Sequence, residues 1–444
     1  MKARIIILSS LMLLTFIPVN AQNNTELSDA EKIYGLSVLW KEAGNNFAYF
    51  DVIPETDWDK QYREYVTKVI SAKSIIEYYN ILRQFYALLK HAHSFVYPPQ
   101  VYQDYYDVPK IKLANIQRHI IVENVGESLR DNIPIGSEII KIQGIAARQY
   151  LEENIFPLIS ASREDFVWEA GLSELLRGKA GTNIIVTFVT PAGTAEDIVL
   201  VCNSKAVNDN WVRPAGITKS VEFSWLNDDI ACIALNTFND NEVPDEFKKT
   251  LPELQKCKGL IIDLSRNGGG DSEIGFSILK YLIDKPLPTF RFKTRENISV
   301  YKAWGNWGRR EYFKYNTGDA WYEIDPDTIY PAEENRLSVP VVILTGNTGS
   351  AAEDFLVTIY KQENVTLVGK TTAGCTGTPF VFDLPGGGMA LITTTKEISV
   401  DGYDTRNGIK PDIEVYKTVQ DIIDNKDPVL GKGIEILTEK IKFN

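Results

Sequence analysis

The sequence predicts an α/β protein in which a helical N-terminal part and a small β-rich part precede a larger α/β core. Three observations support this fold class. Apolar residues recur at helical spacing in residues 28–97, short β-rich runs broken by glycine and proline fill residues 109–204, and apolar strands alternate with helices in residues 216–444. A chain of 444 residues is long enough for about three domains.

The composition is that of a globular protein and excludes several function classes. Hydrophobic residues make up 44% of the chain and charged residues 24%, which argues against disorder. The formal net charge of −12 argues against a nucleic-acid partner. Three histidines and the absence of a Cys-x-x-Cys pair give a metal site little support, so we expect neither a metal nor an organic cofactor. Mostly buried thiols are expected at Cys202, Cys232, Cys257 and Cys375.

The beginning of the chain has the pattern of a secretory signal peptide. Lys2 and Arg4 precede an apolar run over residues 5–19, and Val-Asn-Ala at residues 19–21 fits a small-residue cleavage site. We therefore expect a signal peptide over residues 1–21 and a periplasmic or secreted protein after its removal. A membrane anchor is the alternative, but the run is short for a span of ~20 residues. No later run is long enough, so we expect no membrane span in the mature chain.

The first domain is expected to be helical and to cover residues 22–105. Its first helix begins near Asp29, its second contains Trp58, and its third covers residues 75–89. Pro98 and Pro99 interrupt the helical pattern and end this part.

The second domain is expected over residues 106–205, with a helical insert at about residues 151–180. The run IPIGSEIIKIQGIAARQYL (residues 133–151) resembles the G-x-x-I-x-x-I-N-G hairpin of PDZ domains. Such domains capture peptide ends by adding a strand to a sheet edge. An unrelated small β-domain is the alternative.

The third domain is expected over residues 216–444. Its apolar strands are expected to be buried and parallel, and the segments between them at residues 271–284 and 350–363 are expected to be helical. The segment 285–338 is long, aromatic and charged. Because long excursions in compact domains are usually functional, we expect it to lie on the surface and to shape a cleft.

The segment VVILTGNTGSAAEDF (residues 341–355) contains the best candidate nucleophile. Ser350 would lie at the start of a helix, where the backbone N–H of Ala351 could stabilise an oxyanion. The simpler interpretation is a helix cap, because Ser350 and Glu353 form an S-x-x-E capping box. The two roles are compatible in position.

Two glycine-bearing segments and a histidine pair are further candidates. GLIIDLSRNGGGDSEIG (residues 259–275) could bind phosphate or form an oxyanion hole. VGKTTAG (residues 368–374) fails as a nucleotide loop because Asn364 stands where glycine is required. His91 and His93 lie two residues apart, and a serine nucleophile would need one of the few histidines as its base, although a lone histidine is more often structural.

In combination these segments resemble the C-terminal processing (tail-specific) serine peptidases, and most closely the tricorn-like branch. The family motifs correspond, in order, to HAHS (91–94), DLSRNGGG (263–270), GSAAEDF (349–355), VGKTTAG (368–374) and NGIKPDIEV (407–415). The resemblance implies a crotonase/ClpP-like catalytic core over residues 216–444 with a PDZ-like domain before it. It also implies an exported serine endopeptidase that acts on polypeptides.

The same resemblance implies roles for individual residues. They are Ser350 as nucleophile, His93 as general base, Asp404 as the acid that orients the base, and backbone N–H groups of Gly269, its neighbour Gly270 and Ala351 as oxyanion hole. In the Ser–Lys branch a lysine stands where this chain has Cys375, so a Ser–Lys mechanism is not expected. Lys370 is nearby, but it occupies a position where the family often has glutamate.

Two other functions stay open on the sequence. A catalytically inactive peptide-binding homologue is suggested by the missing lysine, by Ala92 in place of a hydroxyl residue, and by Asp404, whose spacing departs by about one residue. A secreted esterase or amidase for small molecules is the third possibility, and the PDZ-like segment argues against it.

Overall fold

The computed structural model describes residues 27–214, 219–296 and 299–443. The expected signal peptide over residues 1–21 lies outside these residues. Within the described ranges, no helix is long and apolar enough to cross a membrane. The α/β fold class and the helical N-terminal region are confirmed.

The N-terminal region consists of three main helices with polar caps. Ser28, Asp57 and Ser74 each accept a hydrogen bond from the backbone N–H three residues later, which satisfies one donor of the first turn. The buried faces of these helices form a largely aromatic core. The elements are α1 (Asp29–Asn46), α2 (Trp58–Ser71), α3 (Ile75–Ala87), β1 (Val96–Tyr97), α4 (Gln100–Tyr105) and β2 (Tyr106–Asp107).

The second region is an antiparallel sheet with a helical insert packed on it. Trp168 and Leu172 of the insert share one core with the inward side chains of the sheet, such as Val122 and Val186. The elements are β3 (Ile111–Ile116), β4 (His119–Val125), β5 (Glu138–Ile142), β6 (Ile145–Ala146), α5 (Ala147–Tyr150), α6 (Glu164–Glu174), β7 (Gly178–Lys179), β8 (Asn183–Val189) and β9 (Ala195–Val201). The strand order is β3-β4-β5-β8-β9, so β3 and β9 lie at the two edges.

The third region is the largest. Its elements are β10 (Val221–Trp225), β11 (Ile230–Leu235), α7 (Val243–Leu254), β12 (Gly259–Asp263), α8 (Ser272–Leu279), β13 (Leu287–Pro288), β14 (Arg291–Arg295), α9 (Ser299–Asn306), α10 (Phe313–Thr317), β15 (Trp321–Ile324), β16 (Thr328–Ile329), β17 (Val341–Thr345), α11 (Ala351–Ile359), β18 (Val365–Gly369), β19 (Pro379–Leu384), β20 (Gly388–Thr393), β21 (Thr395–Ile398), β22 (Ile413–Glu414), α12 (Val419–Ile423) and α13 (Pro428–Phe443).

A six-stranded sheet forms the centre of this region, in the order β10-β11-β12-β17-β18-β22. All neighbours are parallel except β10 and β11, as expected for buried strands between helices. Ile262 packs toward α7, α8 and α11, whereas the adjacent Ile261 packs toward α13. Because β12 and β17 run in parallel, their carboxyl ends meet at one edge of the sheet and place the following turns side by side.

The segment 285–338, which was expected to be a surface excursion, contains regular structure. Strands β14 and β15 join β21 in a three-stranded antiparallel sheet. Aromatic rings of α9 and α10 pack together, with Tyr301 and Tyr315 at 4.7 Å between centroids. These cross-strand and aromatic contacts are tertiary, so the local sequence pattern did not indicate them.

The N-terminal region packs directly on the third region. Strand β1 pairs with β20, and Leu384, Ala390 and Ile392 of the β19–β20 hairpin belong to the same apolar core as the N-terminal helices. This packing brings the loop after α3 to the carboxyl edge of the central sheet.

Candidate active site

Ser350 lies in the turn between β17 and α11 and has a strained backbone, with φ 55° and ψ −130°. These angles lie outside the helical, extended and left-handed regions that a residue with a Cβ normally occupies. Strand β17 and helix α11 are both fully buried, so the surrounding structure holds the strain in place. A strained serine at a strand-to-helix turn is the conformation that exposes a nucleophilic hydroxyl.

The buried carboxylate of Glu353 fixes this turn from behind. Its donors are the backbone N–H groups of Ser350 (3.1 Å), Gly374 (2.7 Å) and Cys375 (2.8 Å) and the hydroxyl of Thr372. Burial raises the pKa of Glu353 to about 7, against the effect of these donors, which favour the charged form. The expected capping-box bond from the Ser350 N–H to the Glu353 carboxylate is present. The same carboxylate also bonds the turn to the segment after β18.

Gly269 lies against the Ser350 turn and has to be glycine. Its φ is 98°, and a Cβ there would lie 2.5 Å from the Ser350 Cβ and 2.8 Å from the Ala351 nitrogen. The N–H of Ala351 has no hydrogen-bond partner in the described part of the chain, as an oxyanion donor requires.

The backbone N–H groups of Gly269 and Gly270, both expected in the oxyanion hole, differ in their hydrogen bonding. The N–H of Gly269 donates to Asn267 Oδ1 at 2.9 Å, so it is already engaged. Asn267 is fully buried and donates its own amide N–H to the carbonyl of Leu235, which fixes its orientation. The N–H of Gly270 has no partner among the described residues and lies one residue further along the same turn.

His93 comes from the loop after α3, and its ring is held by a backbone carbonyl. Nδ1 lies 2.8 Å from the oxygen of Gly377, and because a carbonyl only accepts, Nδ1 carries the hydrogen and Nε2 is the basic nitrogen. Burial lowers the pKa of His93, and the carbonyls of Gly377 and Thr376 oppose this effect only in part. The ring is therefore neutral near pH 7, as a general base must be.

The other two histidines have different surroundings. His91 is fully buried, stacks on Tyr49 at 4.9 Å and accepts the backbone N–H of His93 at its Nδ1 (3.2 Å). Burial lowers the pKa of His91 well below its ordinary range, so it is a neutral core residue that helps to shape the His93 loop. His119 lies on β4 with its Nδ1 2.7 Å from Glu138.

Asp404 is not placed where the resemblance implied. Its Oδ1 accepts the N–H of Arg406 at 3.0 Å and caps the short turn that follows. No hydrogen bond joins Asp404 to His93 in the residues that the structure describes. The carbonyl of Gly377 takes the position at Nδ1 that an orienting acid would occupy.

Lys370 and Cys375 lie near the position that the lysine occupies in the Ser–Lys branch, and neither is available as a base. Lys370 forms an ion pair with Glu169 of α6 at 2.9 Å. Cys375 lies beside the nucleophile turn, since a Cβ on Gly349 would be 3.6 Å from the Cys375 Cβ. Burial, with the charge of Glu353, raises the pKa of the Cys375 thiol well above its ordinary range, so the thiol stays protonated. All four cysteines are free, as expected, and three are buried.

Sequence reasoning missed two further acids near the site. Asp354 and Glu397 are buried and in side-chain contact with each other. Burial raises the pKa of Asp354 to about 6, and burial together with the charge of Asp354 raises that of Glu397 well above its ordinary range. The sequence feature that could have indicated buried acids here is the pair Glu353 and Asp354 in the first turn of the otherwise apolar helix α11.

A strained serine beside backbone N–H groups that have no partner in the described part of the chain is typical of nucleophilic hydrolases. Residues 229–415 match the sequence model of peptidase family S41. This match confirms the resemblance to the C-terminal processing peptidases over residues 229–415.

Individual relatives extend this result. The carboxy-terminal processing protease CtpA of Bacillus subtilis is 24% identical over 245 residues, which cover 54% of this chain and 44% of that protein. The chloroplastic C-terminal processing peptidase of Tetradesmus obliquus is 23% identical over 260 residues, which cover 55% of this chain and 48% of that protein. The chain thus spans about half the length of these curated relatives. The structure of mature CPAF complexed with lactacystin has a TM-score of 0.73 at 15% identity and covers 94% of this chain and 99% of that one, which shows a shared fold.

Proposed function

We propose that this protein is an exported serine endopeptidase that cleaves polypeptides, with Ser350 as the nucleophile and His93 as the general base. The strained conformation of Ser350, next to the unengaged N–H of Ala351, is the observation that carries the proposal. The family S41 match of the surrounding core supports peptide bonds as the substrate.

Nε2 of His93 takes the proton of the Ser350 hydroxyl, and Oγ attacks the carbonyl carbon of the scissile peptide. The backbone N–H groups of Ala351 and Gly270 stabilise the resulting oxyanion, a contribution of about 3–4 kcal/mol per donor in known cases. Protonated His93 then donates to the leaving amine. Water attacks the acyl-enzyme with His93 again as base, and Ser350 is released.

The same proposal includes the finer architecture. The core is crotonase/ClpP-like, and the β3–β9 sheet is a PDZ-like domain that presents polypeptide ends. The positions of β3 and β9 at the two ends of the strand order support it, because a peptide can add to a sheet edge as a further strand. The proposed boundaries are residues 22–105, 106–205 and 216–444, and export follows from the proposed signal peptide.

Mass-spectrometric cleavage profiling of a peptide library tests this function. The protein without its first 21 residues is compared with its Ser350→Ala and His93→Ala variants. Cleavage by the parent and loss in both variants is expected, with folding of each checked by circular dichroism. Turnover retained by pure Ser350→Ala protein would contradict the proposal, and loss in Ser350→Ala alone would assign the base to another residue.

A catalytically inactive peptide-binding homologue is the second candidate. The engaged N–H of Gly269 and the position of Asp404 away from His93 favour it. This alternative predicts that no form of the protein cleaves the library and that peptide binding is the same in the parent and in Ser350→Ala.

A further inference from the structure

A short helical tip leaves the third region between strands β14 and β15. It comprises residues 300–318, which form most of α9, the turn after it and α10, and we call it the α9–α10 tip. Trp307 is 74% exposed, the largest value among the large apolar side chains that the structure describes. A Cβ on the next residue, Gly308, would meet nothing within 4 Å, so this turn faces open solvent. Exposed apolar side chains grouped in this way mark an interaction surface.

The exposed apolar side chains of the tip include two on one helix face. Val300 and Trp307 lie about two helical turns apart, and the Trp307 N–H still donates to the Ala303 carbonyl at 3.0 Å. Val300 is 46% exposed, and Phe313, at the start of α10, is 44% exposed. The tip therefore presents three large apolar side chains to water.

The inner side of the tip is packed. Tyr315 is buried against Tyr301, and its hydroxyl donates to Glu296 at 2.9 Å. The side-chain amide of Asn316 donates to Asn306 Oδ1 at 2.6 Å, which joins α10 to α9. None of these contacts uses the exposed apolar side chains, so the tip should keep its shape when those side chains are replaced.

The tip is cationic although the protein is acidic. Residues 300–318 contain four lysines or arginines and one acid, whereas the formal net charge of the chain is −12. Arg309, Arg310 and Lys314 are exposed. The Arg309 guanidinium lies 5.2 Å from the ring centroid of Trp304. Charge complementarity therefore favours an anionic partner.

Exposed tryptophan beside arginine and lysine is the chemistry of a lipid–water interface. The indole ring has an apolar body and a polar N–H, and cations are attracted to anionic headgroups. A stable protein partner would need about 800 Å² on each side, more than three apolar side chains on a projecting turn offer. A fluid bilayer surface can instead adapt to a projecting turn.

We propose that the α9–α10 tip docks this protein on membranes that contain anionic lipids. Trp307 enters the headgroup layer, and Arg309 and Arg310 lie against the lipid phosphates. The tip contains no residue of the proposed catalytic group, so this inference does not depend on the proposed function.

The closing experiment measures vesicle binding by co-sedimentation at several salt concentrations. The chain without its first 21 residues is used, because the apolar run over residues 5–19 would itself bind lipid. Vesicles of equal parts phosphatidylglycerol and phosphatidylcholine are compared with phosphatidylcholine alone. We expect at least ~10-fold tighter binding to the anionic vesicles, weakening as salt rises. Equal binding to both vesicles, or no binding to the anionic ones, would overturn the proposal.

Matched variants locate the docking surface. Trp307→Ala should weaken binding to anionic vesicles about tenfold or more, and Arg310→Gln about fivefold. Tyr34→Ala changes a 64% exposed aromatic residue on α1, and Lys249→Gln removes an exposed cation from α7. Both controls should bind as the parent does. Parent-like binding by Trp307→Ala, or equal losses in the tip variants and the controls, would contradict docking through the tip.

A second readout distinguishes a lipid surface from a polypeptide partner. Brominated lipid chains quench tryptophan by contact, so they should quench the parent more than Trp307→Phe, which removes one of eight tryptophans. Trp307→Ala should cleave a short soluble peptide with the KM of the parent. A raised KM with unchanged vesicle binding would assign the tip to polypeptides instead. The vesicle measurements need no turnover, so failure of the proposed function and failure of docking are seen separately.

Discussion

The nucleophile side and the base side of the site are built in different ways. Ser350 lies in one continuous strand-turn-helix segment, and Glu353, three residues later, holds its backbone directly. His93 comes from the N-terminal region and is separated by 284 positions from Gly377, the residue that orients its ring. The geometry of the nucleophile is therefore local, whereas that of the base depends on how two regions pack.

The packing that positions the base is made by the residues just after His93. The Ser94 hydroxyl accepts the N–H of Thr393 at 3.1 Å, and the carbonyl of Phe95 accepts the N–H of Leu391 at 2.9 Å. These bonds join the His93 loop to β20 before strand β1 continues the pairing. A substitution near Ser350 should thus affect only the geometry of its own turn. A substitution near His93 should affect the site through the packing between the N-terminal and third regions.

The largest effect is expected from Gly269→Ala on the nucleophile side. The added Cβ at positive φ would press on Ser350 and on the Ala351 nitrogen and disturb the oxyanion hole. We expect kcat to fall at least ~10²-fold in a folded protein. Gly268→Ala is the matched control, because a Cβ there meets nothing within 4 Å. Equal kcat in the two alanine variants would show that the site is not formed by this turn.

The pH dependence of kcat/KM should report the base side. Burial lowers the pKa of His93 from the ordinary 6.5, and the base works only when neutral. Activity should therefore rise with pH through a midpoint below 6.5 and be complete near neutrality. A His119→Asn variant, changed at an exposed histidine on β4, should keep the same midpoint. A midpoint above 6.5 would contradict a buried, uncharged His93.

The smallest effect is expected from Asp404→Ala. This side chain caps a local turn, so its loss should cost about 1 kcal/mol of unfolding free energy, measured by urea titration. We expect kcat to change less than about threefold, since an orienting acid in contact with the base would cost far more. A fall in kcat of several orders of magnitude would instead show that Asp404 takes part in catalysis.

The sequence indicated the parts of this molecule that depend on neighbouring residues. The parallel strands of the core, the three N-terminal helices and the Ser350 turn each have a continuous pattern of apolar and small residues. The bond from Asn267 to the Gly269 N–H, the carbonyl of Gly377 at His93 and the pair of Asp354 with Glu397 have no such pattern. They arise when separate elements meet, and the one trace that they leave in the sequence is the acidic pair in the first turn of the otherwise apolar helix α11.

The central claim is that Ser350 and His93 act as one unit across the two regions. The most direct measurement is kcat/KM for Ser350→Ala, His93→Ala and the double variant on one peptide substrate. Residues that act together are not additive, so the double variant should lose about as much activity as either single variant. Losses that multiply in the double variant, or a His93→Ala protein that keeps its activity, would contradict the account.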